Sequence, residues 1–238
     1  MEPIGRVRGL WRYPVKSMQG ERVEAVDVGD RGVRGDRHFA VMDRRTGKVL
    51  SAKTEPALLS AAAVLAGVSL AMRLPNGETV LGAGPSADTA LSAWLGRPVH
   101  LEECGPDERG VVETPETPEG DGPLHEFRTP PGSFVDAQPL HLLSTADLDG
   151  WDVRRFRPNL LVDGPVELGM TLAIGSVQLL VGKPATRCVI VTREQPGGVA
   201  RDLGVARALR SRDLCLGVYA RVVQGGRIEQ GDQIRRIS

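Results

Sequence analysis

Four short segments carry residue types that can hold an anion or present a nucleophile. Tyr13-Pro14-Val15-Lys16-Ser17 places a lysine and a hydroxyl just after a proline that ends a strand. Such a pair can hold a phosphate with one point charge and one hydrogen-bonding oxygen. Gly35-Asp36-Arg37-His38 opens a strand, with Arg37 able to reach an anion and Asp36 able to orient it or simply pair with it. Arg154-Arg155-Phe156-Arg157-Pro158-Asn159 packs three arginines into four positions before the apolar run Leu160–Val162. Pro158 fixes the backbone there and gives Asn159 a defined direction. Anion binding and plain solvated charge both fit this cluster.

The fourth segment is Pro184-Ala185-Thr186-Arg187-Cys188, which leads into Val189–Val191, read as a buried strand. A thiol at a loop-to-strand junction, beside Arg187 and near Lys183, should favour its thiolate form. Thiolate is the species that attacks electrophiles and ligates soft metals. Cys104 and Cys215 lack such a setting and read as packing residues. The four histidines (His38, His100, His125, His141) form no metal-binding helical pair. No nucleophile elbow, Walker loop or dinucleotide fingerprint occurs, so the common hydrolase, NTPase and dinucleotide readings fall away. An anion site and a reactive cysteine remain.

The elements that must position these residues are mostly short strands. Ile4–Arg12 alternates loosely, and Arg22–Val28 alternates with one slip. His38–Asp43 and Lys48–Ser51 flank a Gly47 turn, and Met72–Leu74 and Thr79–Leu81 flank Asn76-Gly77, a strong hairpin cue. Thr171–Ile174 and Val177–Val181 flank Gly175-Ser176, while Leu214–Val223 and Gln233–Ile237 read as closing strands. Ala57–Met72 reads as two buried strands joined near Ala66-Gly67, too short and interrupted for a membrane span. Helices are few: Ser86–Leu95 with a serine cap, one turn at Thr145–Leu148, and Val199–Leu209 weakened by Gly204. The expected class is mainly β, closed or sandwiched, with a few short helices. Gly105–Gly132 holds six prolines, five glycines and seven acids, and reads as a surface loop or linker.

Composition narrows the setting. The 238 residues carry 30 basic and 30 acidic side chains, so no basic excess points to nucleic acid or an anionic membrane. Only four of the 30 basic residues are lysines, Lys16, Lys48, Lys53 and Lys183. Codon bias accounts for such a ratio, and so does a need for the bidentate phosphate grip of arginine. Three widely spaced cysteines suit neither a disulfide framework nor structural zinc, and imply a reducing cytoplasm. The charged N-terminal run lacks the apolar core of a signal peptide.

In this order, these motifs resemble the MOSC family in its form with an N-terminal MOSC β-barrel region. YPVKS and GDRHFAVMD resemble the N-terminal half. FRPNLLVDG, PATRC and the closing LGVYARVVQGGRIEQGD resemble the C-terminal half. The resemblance implies a MOSC-like β-barrel, with an N-terminal region over 1–104, a linker over 105–132 and the MOSC domain over 133–238. It also implies molybdenum cofactor, a pterin with a dithiolene and a terminal phosphate. Cys188 would be the thiolate on molybdenum and the catalytic centre. Lys16, Ser17, Arg37, Arg157 and Asn159 would hold pterin and phosphate, with Thr186, Arg187, Ser144 and Thr145 contributing. Ala185 stands where the family often has a second cysteine, so one thiol is available.

The function implied is reduction of small N-hydroxylated compounds, in the cytoplasm and without nucleic acid or membrane. The chain has no four-cysteine cluster for iron and sulfur, so electrons would come from a separate protein. The alternative is a sulfur or cofactor carrier, with a persulfide or thiolate on Cys188. Family sulfurases fuse this region to an aminotransferase-like domain, for which 238 residues leave no room.

Overall fold

A computed structural model describes residues 2–117, 120 and 122–237. Seven strands close into a ring, in the order Leu160–Val162, Leu140–Ser144, Cys215–Gln224, Val177–Thr186, Thr171–Ile174, Gln233–Arg236 and Glu2–Arg12. The last strand returns to the first through Val7–Val162 and Leu10–Leu160. Only Leu140–Ser144 and Leu160–Val162 run parallel; the other neighbours in the ring are antiparallel. The barrel follows from alternation: Leu172, Ile174, Val177, Leu179 and Val181 are fully buried, while the intervening residues face outward. Val7, Leu10, Leu140, Leu142, Leu160, Val162 and Ile234 complete this core.

The expected 1–104 region is interleaved with the barrel rather than set apart from it. Its first strand closes the ring, and Glu21–Val23 adds to that strand's other edge. The slip foreseen in Arg22–Val28 is a break at Glu24, after which Ala25–Gly29 pairs with Gly226–Glu229. A second core lies around Val15, Met18, Val41, Leu58, Met72, Leu91 and Val99. It is enclosed by the three-stranded sheet Ala62–Ala66, Ser69–Arg73, Thr79–Leu81, the helix Pro85–Leu95, and the pair Phe39–Asp43 and Val99–Glu103.

Several local expectations need correction. Gly105–Gly132 is not an open linker: Val111–Pro115 pairs with Leu124–Arg128, and Val112 is buried with Val49 and Phe134. The apolar partners of this strand pair come from elsewhere in the chain, and Pro118, Glu119 and Asp121 of the segment lie outside the described residues. Lys48–Ser51 forms no strand; Val49 bridges Met42 and Val112, and the partner of Phe39–Asp43 is Val99–Glu103. Pro56–Ser60 is a 3-10 turn, so only the later part of Ala57–Met72 is extended. The helix begins after Gly84, whose carbonyl accepts from Asp88 N, and Ser86 is not its cap.

Val189–Thr192 is a 3-10 turn and not a strand, although its β-branched residues suit either. Val191 N donates to Cys188 O, and Thr192 Oγ1 donates to Val189 O. Burial comes from Phe156, Val205, Leu209 and Leu216 packing on Val191. Helix Gly204–Leu209 starts later than Val199, because Val199 bridges Gln195 and Asp202 Oδ1 accepts from Gly204 N.

Candidate functional site

One cavity is lined by Lys16, Ser17, Arg37, Arg157, Asn159, Arg187 and Cys188, which are far apart in sequence. Each arrives at the end of an element. Lys16 and Ser17 follow the Val15–Phe39 bridge, Arg37 precedes Phe39–Asp43, and Arg157 and Asn159 precede Leu160–Val162. Arg187 and Cys188 leave the long strand Val177–Thr186. Ser17, Arg37 and Arg157 all adopt left-handed backbone, with φ of 69°, 47° and 53°. Non-glycine residues held this way cost about 1–3 kcal/mol each, and such strain gathers at ligand sites.

The cations are fixed with polar capacity to spare. Asp36 accepts from Tyr13 N at 2.8 Å through Oδ1 and pairs with Arg37 Nη1 at 2.6 Å through Oδ2. Asp36 thus pairs with Arg37 and is itself held by the Tyr13 amide. Arg37 and Arg157 each lie 4.4 Å from the centre of the Tyr13 ring. Burial holds the Tyr13 hydroxyl up at about 12. Arg157 Nη2 donates to Met18 O at 2.7 Å, while its buried Nη1 has no partner. Burial first, and Arg37 second, lower the Arg157 pKa to about 10.

Arg187 rests against His141, with Nη1 3.1 Å from Nε2, and its buried Nε also lacks a partner. Burial and the neighbouring Arg187 keep His141 neutral, well below its usual pKa. Lys16 is buried and donates to Phe134 O at 2.7 Å and to Asp136 Oδ1. Asp136 Oδ2 accepts from Lys53 at 2.9 Å. Burial pushes the Asp136 carboxyl up, but Lys16 and Lys53 outweigh it and hold the group far below the carboxylate range.

The other expected residues lie differently. Asn159 borders the cavity, but its amide ties two strands: Oδ1 accepts from His141 N and Nδ2 donates to Trp11 O. Ser17 Oγ accepts from Ala52 N at 2.9 Å. Ser144 and Thr145 are absent from the cavity wall; Ser144 Oγ caps a 3-10 turn by accepting from Ala146 N. Thr186 lines an adjoining cleft with Cys188. The three arginines of the 154–157 segment part ways. Arg154 pairs with Asp152, Arg155 borders the cavity with its guanidinium tied to the Val191 and Ala200 carbonyls, and Arg157 faces the cavity with a donor to spare.

Cys104 is buried as expected, while Cys215 is only half-buried, 3.7 Å from Thr186 Oγ1. Asp136, Lys53, His141 and Tyr219 were not singled out in the sequence as site residues, and no local motif marks them. Among the described residues no cluster of three potential protein ligands could hold a metal ion by itself. The cavity therefore offers cations, unpaired donors and one thiol, a donor set suited to an anionic ligand that brings its own metal. Its open space is about 100 Å³. Engineered cavities that take benzene are nearer 150 Å³. A pterin-sized group would enter only with side chains turned aside.

Two family models match the chain. Residues 4–95 match the MOSC N-terminal beta barrel domain, and residues 130–235 match the MOSC domain. The chain is similar to mitochondrial amidoxime reducing component 2 of Rattus norvegicus, 25% identical over all of this chain and 85% of that protein. It is 24% identical to mitochondrial amidoxime-reducing component 1 of Mus musculus over 90% of this chain and 73% of that one. The solved YUAD protein of Bacillus subtilis covers 97% of this chain and 93% of its own at 12% identity, with a TM-score of 0.45. No helix among the described residues is long and apolar enough to cross a membrane. With both halves matched in order around a closed β-barrel, the chain belongs to the MOSC-domain proteins that carry the N-terminal MOSC barrel region.

Proposed function

We propose that this protein binds molybdenum cofactor and reduces small N-hydroxylated compounds, receiving electrons from a separate protein. The observation that carries the reading is the pairing of Cys188 with unpartnered buried guanidinium donors on Arg157 and Arg187 in one cavity. Similarity to the amidoxime reducing components over the whole chain supports the substrate class. An orphaned N–H on a buried cation costs free energy until an anion accepts from it. A terminal phosphate fits those donors, and a thiolate fits a soft metal.

In this reading Arg37, Arg157 and Arg187 hold the anionic end of the cofactor, and Lys16 adds charge once it turns from Asp136. Cys188 supplies the sulfur ligand. The cofactor, when bound, supplies the two-electron chemistry that breaks the N–O bond. Two electrons and two protons enter for each bond broken, the amidine or amine is released, and the oxygen leaves as water. The chain's own part is to orient the sulfur, hold the charges and shield the site. Asp36 fixes Arg37, Asn159 locks the strand ends, and neutral His141 supports Arg187 without competing for its charge.

Protein made in a host with the complete cofactor pathway tests the reading. About one molybdenum per chain and reduction of benzamidoxime by an artificial electron donor are expected. A folded protein without molybdenum, bearing a labile persulfide on Cys188, would favour the sulfur-carrier alternative.

A further inference from the structure

Cys188 stands between two hollows. The inner one is the arginine-lined cavity. The outer one is a cleft bordered by Lys53, Lys183, Pro184, Arg187, Tyr219 and Asp136. Three of the four lysines in the chain, Lys16, Lys53 and Lys183, therefore gather around one sulfur, although arginine is the prevailing cation. The two side chains suit different tasks. Arginine's planar fork holds a phosphate in fixed geometry, whereas lysine is a flexible, strongly hydrated point charge. A resident group calls for the first, and a ligand that must leave after each turnover calls for the second.

The cleft also has positive charge in excess. Asp136 is its carboxylate, and both oxygens are taken, one by Lys16 and one by Lys53. Arg187 leans on a neutral histidine. Lys183 has no carboxylate within ion-pair distance among the described residues; its ammonium lies 5.9 Å from the centre of the Tyr219 ring. Lys183 pairs with Tyr219 of the neighbouring strand, and register shifts flank that pairing, between Val181 and Lys183 and again between Pro184 and Thr186. Bulges of this kind re-aim side chains beside active sites. The cleft offers about 210 Å³ of space, enough for an aromatic ring, with Pro184 and Tyr219 as apolar walls.

We propose that this cleft selects N-hydroxylated substrates that carry a carboxylate or phosphate, with Lys183 as the main anion contact and Lys53 beside it. The proposal rests on the reductase reading, naming the substrate class for the same sulfur. The reducible N–OH would face Cys188 while the anionic substituent lies at the lysine rim.

The test compares benzamidoxime with 4-carboxybenzamidoxime, which share the reducible group and differ by one charge. On cofactor-loaded wild type, kcat/KM for the carboxylate should exceed that for the neutral compound by about two- to fivefold per exposed cation. Lys183→Gln should bring the ratio down two- to fivefold, chiefly through KM. Lys183→Glu should reverse the preference, and raised salt should shrink both the wild-type preference and its reversal. Calorimetric binding of both compounds to loaded protein supplies a second readout. Equal turnover of the two compounds, or a preference untouched in Lys183→Glu, would overturn the proposal and leave the reductase reading standing. No turnover of either, with carboxylate binding that still depends on Lys183, would keep the subsite and overturn the reductase reading. Absence of both turnover and Lys183-dependent binding would overturn the two together.

Discussion

Arg37 donates from Nη2 to the backbone carbonyl of Arg157 at 3.1 Å, across 120 residues of sequence. The bond joins two residues that both hold left-handed backbone and both stack on Tyr13. It also joins the N-terminal region to the end of a barrel strand. The cation pair is thus a property of the assembled chain, and neither half could build it alone.

Arg157 offers the cleanest separation of binding from folding. Arg157→Met removes a buried charge and also its bond to Met18 O. Those effects oppose one another, so the cofactor-free melting temperature should stay within about 2–4 °C of wild type, under ~1 kcal/mol. Cofactor affinity should fall about ten- to a hundredfold, the effect of a charge-assisted contact. Calorimetry and molybdenum content after extensive dialysis measure the two effects. Unchanged retention would remove Arg157 from the anion cradle.

Asp136 predicts an acid limb. Its folded pKa is depressed, so its contribution to stability is full above the unfolded value of about 3.9 and fades as pH drops below that. Asp136→Asn should lower the melting temperature at pH 7, where Lys16 and Lys53 lose their shared partner. It should also make the decline between pH 4 and pH 2 shallower than in wild type. Asp43, Asp152 and Asp163 are depressed too, so some acid sensitivity should persist. Parallel pH curves for variant and wild type would discard the bridging role.

Cys188→Ser should fold, because the residue is half-buried and serine nearly matches cysteine in size. Benzamidoxime reduction should vanish, since an oxygen ligand is a harder match for the metal. Cys104→Ser should be active and less stable by about 1 kcal/mol, because the hydroxyl enters among Val49, Val112 and Phe134 but keeps the Glu108 carbonyl that the thiol faces. Cys215→Ser should change neither property much. Undiminished turnover in Cys188→Ser would end the thiolate assignment.

Gly217 links backbone geometry to the cavity wall. Its φ is 74°, and a Cβ there would lie 2.6 Å from both His141 Nε2 and the Leu142 carbonyl. Gly217→Ala should cost about 2 kcal/mol or more, roughly 4–8 °C, and loosen Arg187 by displacing His141. Gly231 has φ 92° but open space around it, so Gly231→Ala isolates the backbone cost. Equal losses in both variants would show that the His141 contact is unimportant.

Local patterns carried much of this architecture. The alternating runs that close the barrel, and the turns at Asn76-Gly77 and Gly175-Ser176, depend on neighbours in sequence and were readable there. Lys16, Arg37 and Cys188 stood out because each sits at a strand end among polar residues. Val189–Thr192 misled because an apolar β-branched run fits a buried strand or a buried turn equally. The 111–128 hairpin was hidden by its prolines and acids, while its burial comes from Val49 and Phe134. Asp136 and Lys53 were invisible for the same reason. Their meaning depends on Lys16, which lies 120 residues from Asp136.

The closed ring sets an order on the making of this protein. Its first strand pairs with Gln233–Arg236 on one edge and with Leu160–Val162 on the other. During synthesis the Glu2–Arg12 segment precedes both of its ring partners by about 150 residues or more and must wait for them with an open edge. Contacts of such long sequence separation are slow to form and expose unpaired strands to aggregation. A nascent chain halted before residue 233 should therefore hold an unclosed barrel, and a holdase chaperone that shields the early strand should raise the yield of folded protein.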